Sequence, residues 1–286
     1  MKQRILAIAV TALTLFPAHA LLQSSASFED EIKIWKTDAE TDSADEKNQQ
    51  AEAEFQSAQE LFPAGQGSSS SAGKLDEQRD ERTSDFLSVK VDGVLVTFRD
   101  VPRTSWFAPY VRAIAEQGIV SGYRDESGTP TGEFGPADNV TIEQMAKVML
   151  YASGNDIQTC QGTPLNQTAS GSWSASFISC SEKLQWLVYS DGSADVHRPA
   201  TRSEVIATLL QAFGKKTPER TGDSFSDVTL TTLYGASIEQ AKRDGIVSGY
   251  TDSDGNPTNT FGPEDPVTRA EFAKIVTGGM QVYKKQ

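Results

Sequence analysis

The stretch GIVSGY occupies Gly118 to Tyr123, and the same six letters return from Gly245 to Tyr250. The match extends well beyond the string. At an offset of 127, positions 118–147 are identical at eighteen of thirty places, including Asp125, Gly128, Pro130, Phe134-Gly135-Pro136, Val140-Thr141 and Ala146-Lys147. The pairs Phe98-Arg99-Asp100-Val101 and Phe225-Ser226-Asp227-Val228 open the two units. Identity at that density over a fixed period is an internal duplication. A weaker copy lies between them. Trp173 to Val188 follows the register of Trp106 to Ser121, with Leu184, Trp186 and Leu187 on its apolar positions. Thr201-Arg202-Ser203-Glu204 answers Thr268-Arg269-Ala270-Glu271, but the middle loop is shorter and lacks the GIVSGY string.

Each unit reads as helix, loop, helix. Tyr110, Ile114 and Ile119 fall on one side of a helix starting near Trp106, and Gly118 stops it as a C-terminal glycine does. Asp125 to Asp138 is a loop rich in Gly and Pro. The second helices begin at Thr141, Thr201 and Thr268, each within a T-x-x-E/Q capping box. Capping accounts for the Thr and the acid or amide, and leaves Arg202 and Arg269 unaccounted for. A cation at the first helical position faces the positive end of the helix dipole. Beside free backbone amides, an arginine there makes a small anion site. The first unit carries Ile142 and Glu143 instead.

Before the first unit, Leu87 to Phe98 alternates β-formers around Asp92-Gly93, a hairpin signal. The N-terminal twenty residues have a basic start (Lys2, Arg4), a charge-free apolar run from Ile5 to Phe16 and the small-residue end Ala18-His19-Ala20, the pattern of a secretory signal. Residues 21–84 are polar and acidic. Within them Ala51, Phe55, Ala58 and Phe62 hold helical spacing over about 46–62, and AGQGSSSSAG (64–73) is a linker by composition. This region is expected to be disordered or partly helical, and it is a candidate contact for a protein partner. The boundaries that follow are 1–20, 21–84, 85–152 for the first unit with its hairpin, 153–216 for the degenerate unit and 217–280 for the last.

The formal net charge is −13, which argues against nucleic acid or an anionic membrane as the main partner. No later stretch is long and apolar enough to span a bilayer. Cys160 and Cys180 are the two cysteines. An even pair in an exported chain reads as one disulfide, with two free thiols as the other reading. An enzyme is not favoured: no Ser-His-Asp set, zinc-ligand cluster or P-loop is apparent, and no cofactor or metal is called for. Asp252-Ser253-Asp254-Gly255 is similar to the start of an EF-hand loop, but Pro257 stands where that loop needs Gly and no Glu follows at its twelfth position.

The combination of F-x-D-V, an aromatic helix, GIVSGY, an F-G-P loop and V-T-R-A-E resembles the S-layer homology (SLH) domain of bacterial cell-surface proteins. The likeness runs from about Phe98 to Gly279. It covers the whole of the first and last units, and rests in the middle one on Trp173 and Thr201 to Glu204. The resemblance implies a mainly α fold, with three helix-loop-helix units in a pseudo-threefold arrangement around a central helical bundle. It also implies non-covalent binding of an anionic secondary cell-wall polymer, often pyruvylated, at the envelope. The T-R-A-E arginine of that family meets the acidic ligand, which singles out Arg202 and Arg269. Trp106, Asp100, Asp227, Ser121-Gly122 and Ser248-Gly249 are candidates for sugar contacts. The bland readings stand beside these: Tyr123 and Tyr250 as packing residues, Phe98 and Phe225 as core, Asp100 and Asp227 as turn caps. The alternative function is an envelope protein-interaction module using the trio as a scaffold. Two departures from the family pattern weaken particular sites: T-I-E-Q in the first unit, and the short loop of the middle one.

Overall fold

The structure, a computed structural model, describes residues 85–160, 162–217 and 224–284. The signal segment 1–20 and the features read within 21–84 lie outside the described residues. Strands β1 (Phe86–Val91) and β2 (Val94–Pro102) pair antiparallel across Asp92-Gly93. Both turn residues take positive φ (51° and 82°), the conformation a two-residue hairpin turn requires. Among the described residues six helices follow: α1 (Ala108–Glu116), α2 (Ile142–Ser153), α3 (Ala175–Lys183), α4 (Arg202–Ala212), α5 (Gly235–Arg243) and α6 (Arg269–Tyr283). A 3₁₀ turn spans Ile157–Thr159.

Helices α2, α4 and α6 touch one another, and each carries a flanking helix: α3 on α2, α5 on α4, and α1 on α6. The last of these joins the first and last helices among the described residues. Their N-termini are tied by a closed ring of backbone bonds. Val140 donates to Val267, Val267 to Ala200, and Ala200 to Val140, at 2.9, 3.1 and 2.8 Å. The capping box forms completely at Thr141, Thr201 and Thr268. The core runs continuously through Met145, Met149, Val205, Leu209, Ala273 and Val276, all buried.

The mainly α expectation is overturned. Helix covers about a third of the described residues, and a two-stranded sheet stands beside it. The long segments between helices are turns stitched by isolated β-bridges, Arg124 to Pro130 and Thr251 to Pro257 within loops, and Asn139 to Thr268, Thr141 to Pro199 and Thr201 to Pro266 between units. The physical reason is the Gly and Pro content of those loops. They cannot propagate a helix, so their backbone groups pair across the loop instead.

Two apolar positions of the middle unit also differ from expectation. Trp186 is buried, but Leu184 and Leu187 are exposed. The helix stop is kept without its glycine. Gln185 stands where the other units have Gly118 and Gly245, and it adopts φ 57° beside their 70° and 72°. Cys160 and Cys180 are disulfide-bonded, tying the 3₁₀ turn to α3.

Candidate functional site

The first residues of α2, α4 and α6 dock onto the loop of another unit. Arg269 and Ala270 donate their backbone N–H groups to Asp138 and Pro136, Arg202 and Ser203 to Asp265 and Pro263, and Ile142 and Glu143 to Arg198 and Val196. The amides at the first two helical positions are therefore consumed by neighbouring carbonyls, and the third amide is bonded to the capping threonine. The expected site of free helix-end amides does not form.

What remains is the side chain each helix pushes into the neighbouring loop. Arg269 is 5% exposed and donates from Nε to Phe134 O at 2.7 Å. Its guanidinium lies 4.7 Å above the Phe134 ring and 5.0 Å above that of Tyr123. Burial lowers its pKa to about 10, so it stays charged at neutral pH. Arg202 repeats this in the last unit's loop, donating to Phe261 O at 3.0 Å and lying over Tyr250 and Phe261. Each arginine thus completes the loop of a different copy. The middle loop receives Ile142 instead, whose carbonyl accepts from the Tyr189 hydroxyl at 2.9 Å. Beside it Glu143 is fully buried, accepting from Ser174 Oγ at 2.7 Å with His197 Nδ1 3.4 Å away, and burial raises its pKa.

A pocket of about 170 Å³ opens next to Arg269. The Gly118–Gly122 segment forms one wall, and Gln144, Lys147, Val148 and Tyr151 of α2 form another. Val91 and Asp92 at the hairpin tip and Arg124 complete the lining. Three cations therefore meet in a strongly acidic chain. The single acid among them, Asp92, is held at 2.5 Å by Arg124 Nη2. Lys147 lies 5.4 Å over the Trp173 ring and 5.8 Å over Phe177, and burial lowers its pKa to about 8.

The two arginines differ in the capping residue beside them. Arg202 Nη1 pairs with Glu271 Oε1 at 3.2 Å, so the capping acid of α6 offsets its charge. The corresponding capping residue beside Arg269 is the neutral Gln144. The T-I-E-Q departure therefore keeps a capping-box carboxylate out of the pocket at Arg269.

The other sequence candidates are placed as follows. Ser121 and Gly122 line the pocket, and Ser121 Oγ accepts from Arg124 Nε at 3.3 Å. Ser248 is exposed and Gly249 buried in the matching loop by Arg202. Gly122 and Gly249 have a packing duty: a Cβ on Gly122 would sit 2.5 Å from Phe98 Cε1, and one on Gly249 2.6 Å from Thr260 O. Asp100 accepts from the backbone N–H groups of Phe134 and Gly135, and Asp227 from those of Phe261 and Gly262, at 2.6–3.0 Å. Both carboxylates hold the F-G-P turns in shape. Trp106 is not among the pocket's lining residues. It is buried against Phe107 and Tyr110, with Lys274 5.7 Å over its ring, at the contact of α1 with α6. Lys147, Arg124 and Tyr151 carry no ligand role in the sequence reading, and Gln144 enters it only as part of a departure that weakens a site. The 3-1-3 spacing of 144, 147, 148 and 151 marks one helix face, and only docking shows which loop it meets. Tyr123 and Tyr250 do more than pack: their hydroxyls donate to Asp138 and Asp265.

The pocket is basic and is built between duplicated units. The S-layer homology domain family model matches residues 97–146 and 224–273, and those two stretches are SLH domains. Domains of this family bind rather than catalyse, and they mediate cell-wall anchoring. Their presence associates the chain with the cell surface. The chain is similar to an amylopullulanase of Thermoanaerobacterium thermosulfurigenes, 26% identical over 188 residues, covering 64% of this chain and 9% of that protein. It is also similar to exoglucanase XynX of Acetivibrio thermocellus, 25% identical over 204 residues, covering 68% of this chain and 17% of that protein. The chain thus spans less than a fifth of either relative's length. No helix among the described residues is long and apolar enough to cross a membrane.

Proposed function

We propose that the chain is exported and held at the envelope by non-covalent binding of an anionic, pyruvylated secondary wall polymer in the Arg269 pocket. The observation that carries this is the convergence of Arg124, Lys147 and Arg269 on one pocket where the capping position is Gln144. A ketal carboxylate is a planar anion that suits a guanidinium fork and a nearby ammonium. The Arg202 loop is a weaker site in this reading, because Glu271 adds a capping carboxylate beside its guanidinium. Residues 153–216 are a third, degenerate unit. Their support is the complete capping box at Thr201 and the place of Ala200 in the ring of backbone bonds. In that unit the ligand side has been replaced by packing around Ile142 and Glu143.

The test is co-sedimentation of the full chain with sacculi, before and after chemical stripping of wall polymer. Wild type is compared with Arg269→Ala and Arg202→Ala, each checked for an intact thermal melt. Binding lost on stripping and by Arg269→Ala, and only weakened by Arg202→Ala, is the expected pattern. Binding that survives stripping refutes a polymer ligand.

A further inference from the structure

We propose that the pocket reads a two-sugar segment of the polymer, with the acidic substituent at Arg269 and the neighbouring ring resting on Tyr151. This rests on the polymer-anchoring reading and specifies its ligand. Gln144, Lys147 and Tyr151 lie on one face of α2 and all line the pocket. Gln144 occupies the place that Glu271 takes beside Arg202, which sets the arginine level with the start of the helix. Tyr151 is seven residues further on, about 10 Å along the axis. That separation is the length of two linked pyranose rings and exceeds that of one.

The far end has the right chemistry for a sugar face. Tyr151 is 42% exposed, yet its ring is steadied by edge contact with Phe177 at 5.9 Å between centroids. A rigid, partly exposed aromatic ring offers a flat apolar surface to the C–H face of a pyranose at little entropic cost. Between the two ends, the Lys147 ammonium can donate to ring hydroxyls or to the same acidic group. The arrangement is peculiar to this pocket. The positions matching Tyr151 are Gln211 in α4 and Gly278 in α6, and those matching Lys147 are Ala207 and Lys274. The other two faces therefore lack the aromatic end.

The experiment is calorimetric titration of the full chain with polymer fragments released from sacculi and separated into one-sugar, two-sugar and longer fractions. Wild type is expected to gain about fivefold in affinity from one acidic sugar to two, and little beyond. Tyr151→Ala should lose that gain from the second sugar, and Tyr151→Phe should keep it. Equal binding of the two-sugar fraction by wild type and Tyr151→Ala overturns this inference and leaves the anchoring reading standing. Absence of binding by wild type to every fraction overturns both.

Discussion

Gln144→Glu isolates the electrostatic difference between the two arginine loops. The change should leave the fold intact, because Glu204 and Glu271 hold the same capping bond to their threonine N–H at 2.9 Å, against 3.1 Å for Gln144. It places a carboxylate where Glu271 stands to Arg202, a separation of 3.2 Å. That carboxylate then competes with the ligand's own anion for the Arg269 guanidinium. Hydrogen bonds to charged groups contribute roughly 1.5–3 kcal/mol. A loss near 2 kcal/mol is about a thirtyfold weaker Kd. The assay is titration with polymer released from sacculi, alongside a thermal melt. Glu271→Gln is the reverse change, and it should strengthen any binding at the Arg202 loop. A Gln144→Glu protein that melts normally and binds within about twofold of wild type would refute the electrostatic account of this pocket.

Lys147 links pH to stability. Its folded pKa of about 8 lies below the ordinary lysine value, so between about pH 8 and 10 the unfolded chain binds more protons. The burial cost is fully present below pH 8 and is relieved as pH rises. Lys147→Met should therefore flatten the wild-type rise over that window and add on the order of 2 kcal/mol at neutral pH, read by denaturant melts. Gln185→Gly should stabilise by about 0.5–1 kcal/mol in the same melts, since Gln185 holds a left-handed backbone at φ 57°. Gly249→Ala should do the opposite, losing roughly 2–4 kcal/mol, because its Cβ would lie 2.7 Å from the buried ring of Phe225 at a positive φ. Reduction of Cys160–Cys180, twenty residues apart, should lower stability by about 3 kcal/mol, visible as a lower melting temperature under reductant.

Much of the local structure was legible because its causes are local. A T-x-x-E/Q box satisfies two helix-end amides within four residues, and all three boxes form. Gly118 and Gly245 end their helices by supplying positive φ, and Asp92-Gly93 turns the hairpin by the same means. The misjudged features depend on neighbours distant in sequence. Leu184 and Leu187 look like core residues by spacing, yet both are exposed. Trp106 looks like a sugar platform, but the docking of α1 on α6 buries it. The weight of helix was overstated because loop backbone that pairs in isolated bridges carries no periodic sequence pattern.

By itself the sequence determined the duplication, the helix starts and stops, and the two arginines whose positions capping could not explain. Only the tertiary structure decided what those arginines meet. Arg269 enters a loop whose Phe134 lies 135 residues earlier, because α1 docks on α6 and the ring of Val140, Ala200 and Val267 closes the chain on itself. That closure also decides that Gln144, which weakened the case for a site when read alone, removes a competing carboxylate from the pocket beside another unit's arginine. Capping is an interaction within one turn of helix and can be read from adjacent letters. Charge balance in a pocket is a sum over side chains brought together by packing, and it exists only once the units have docked.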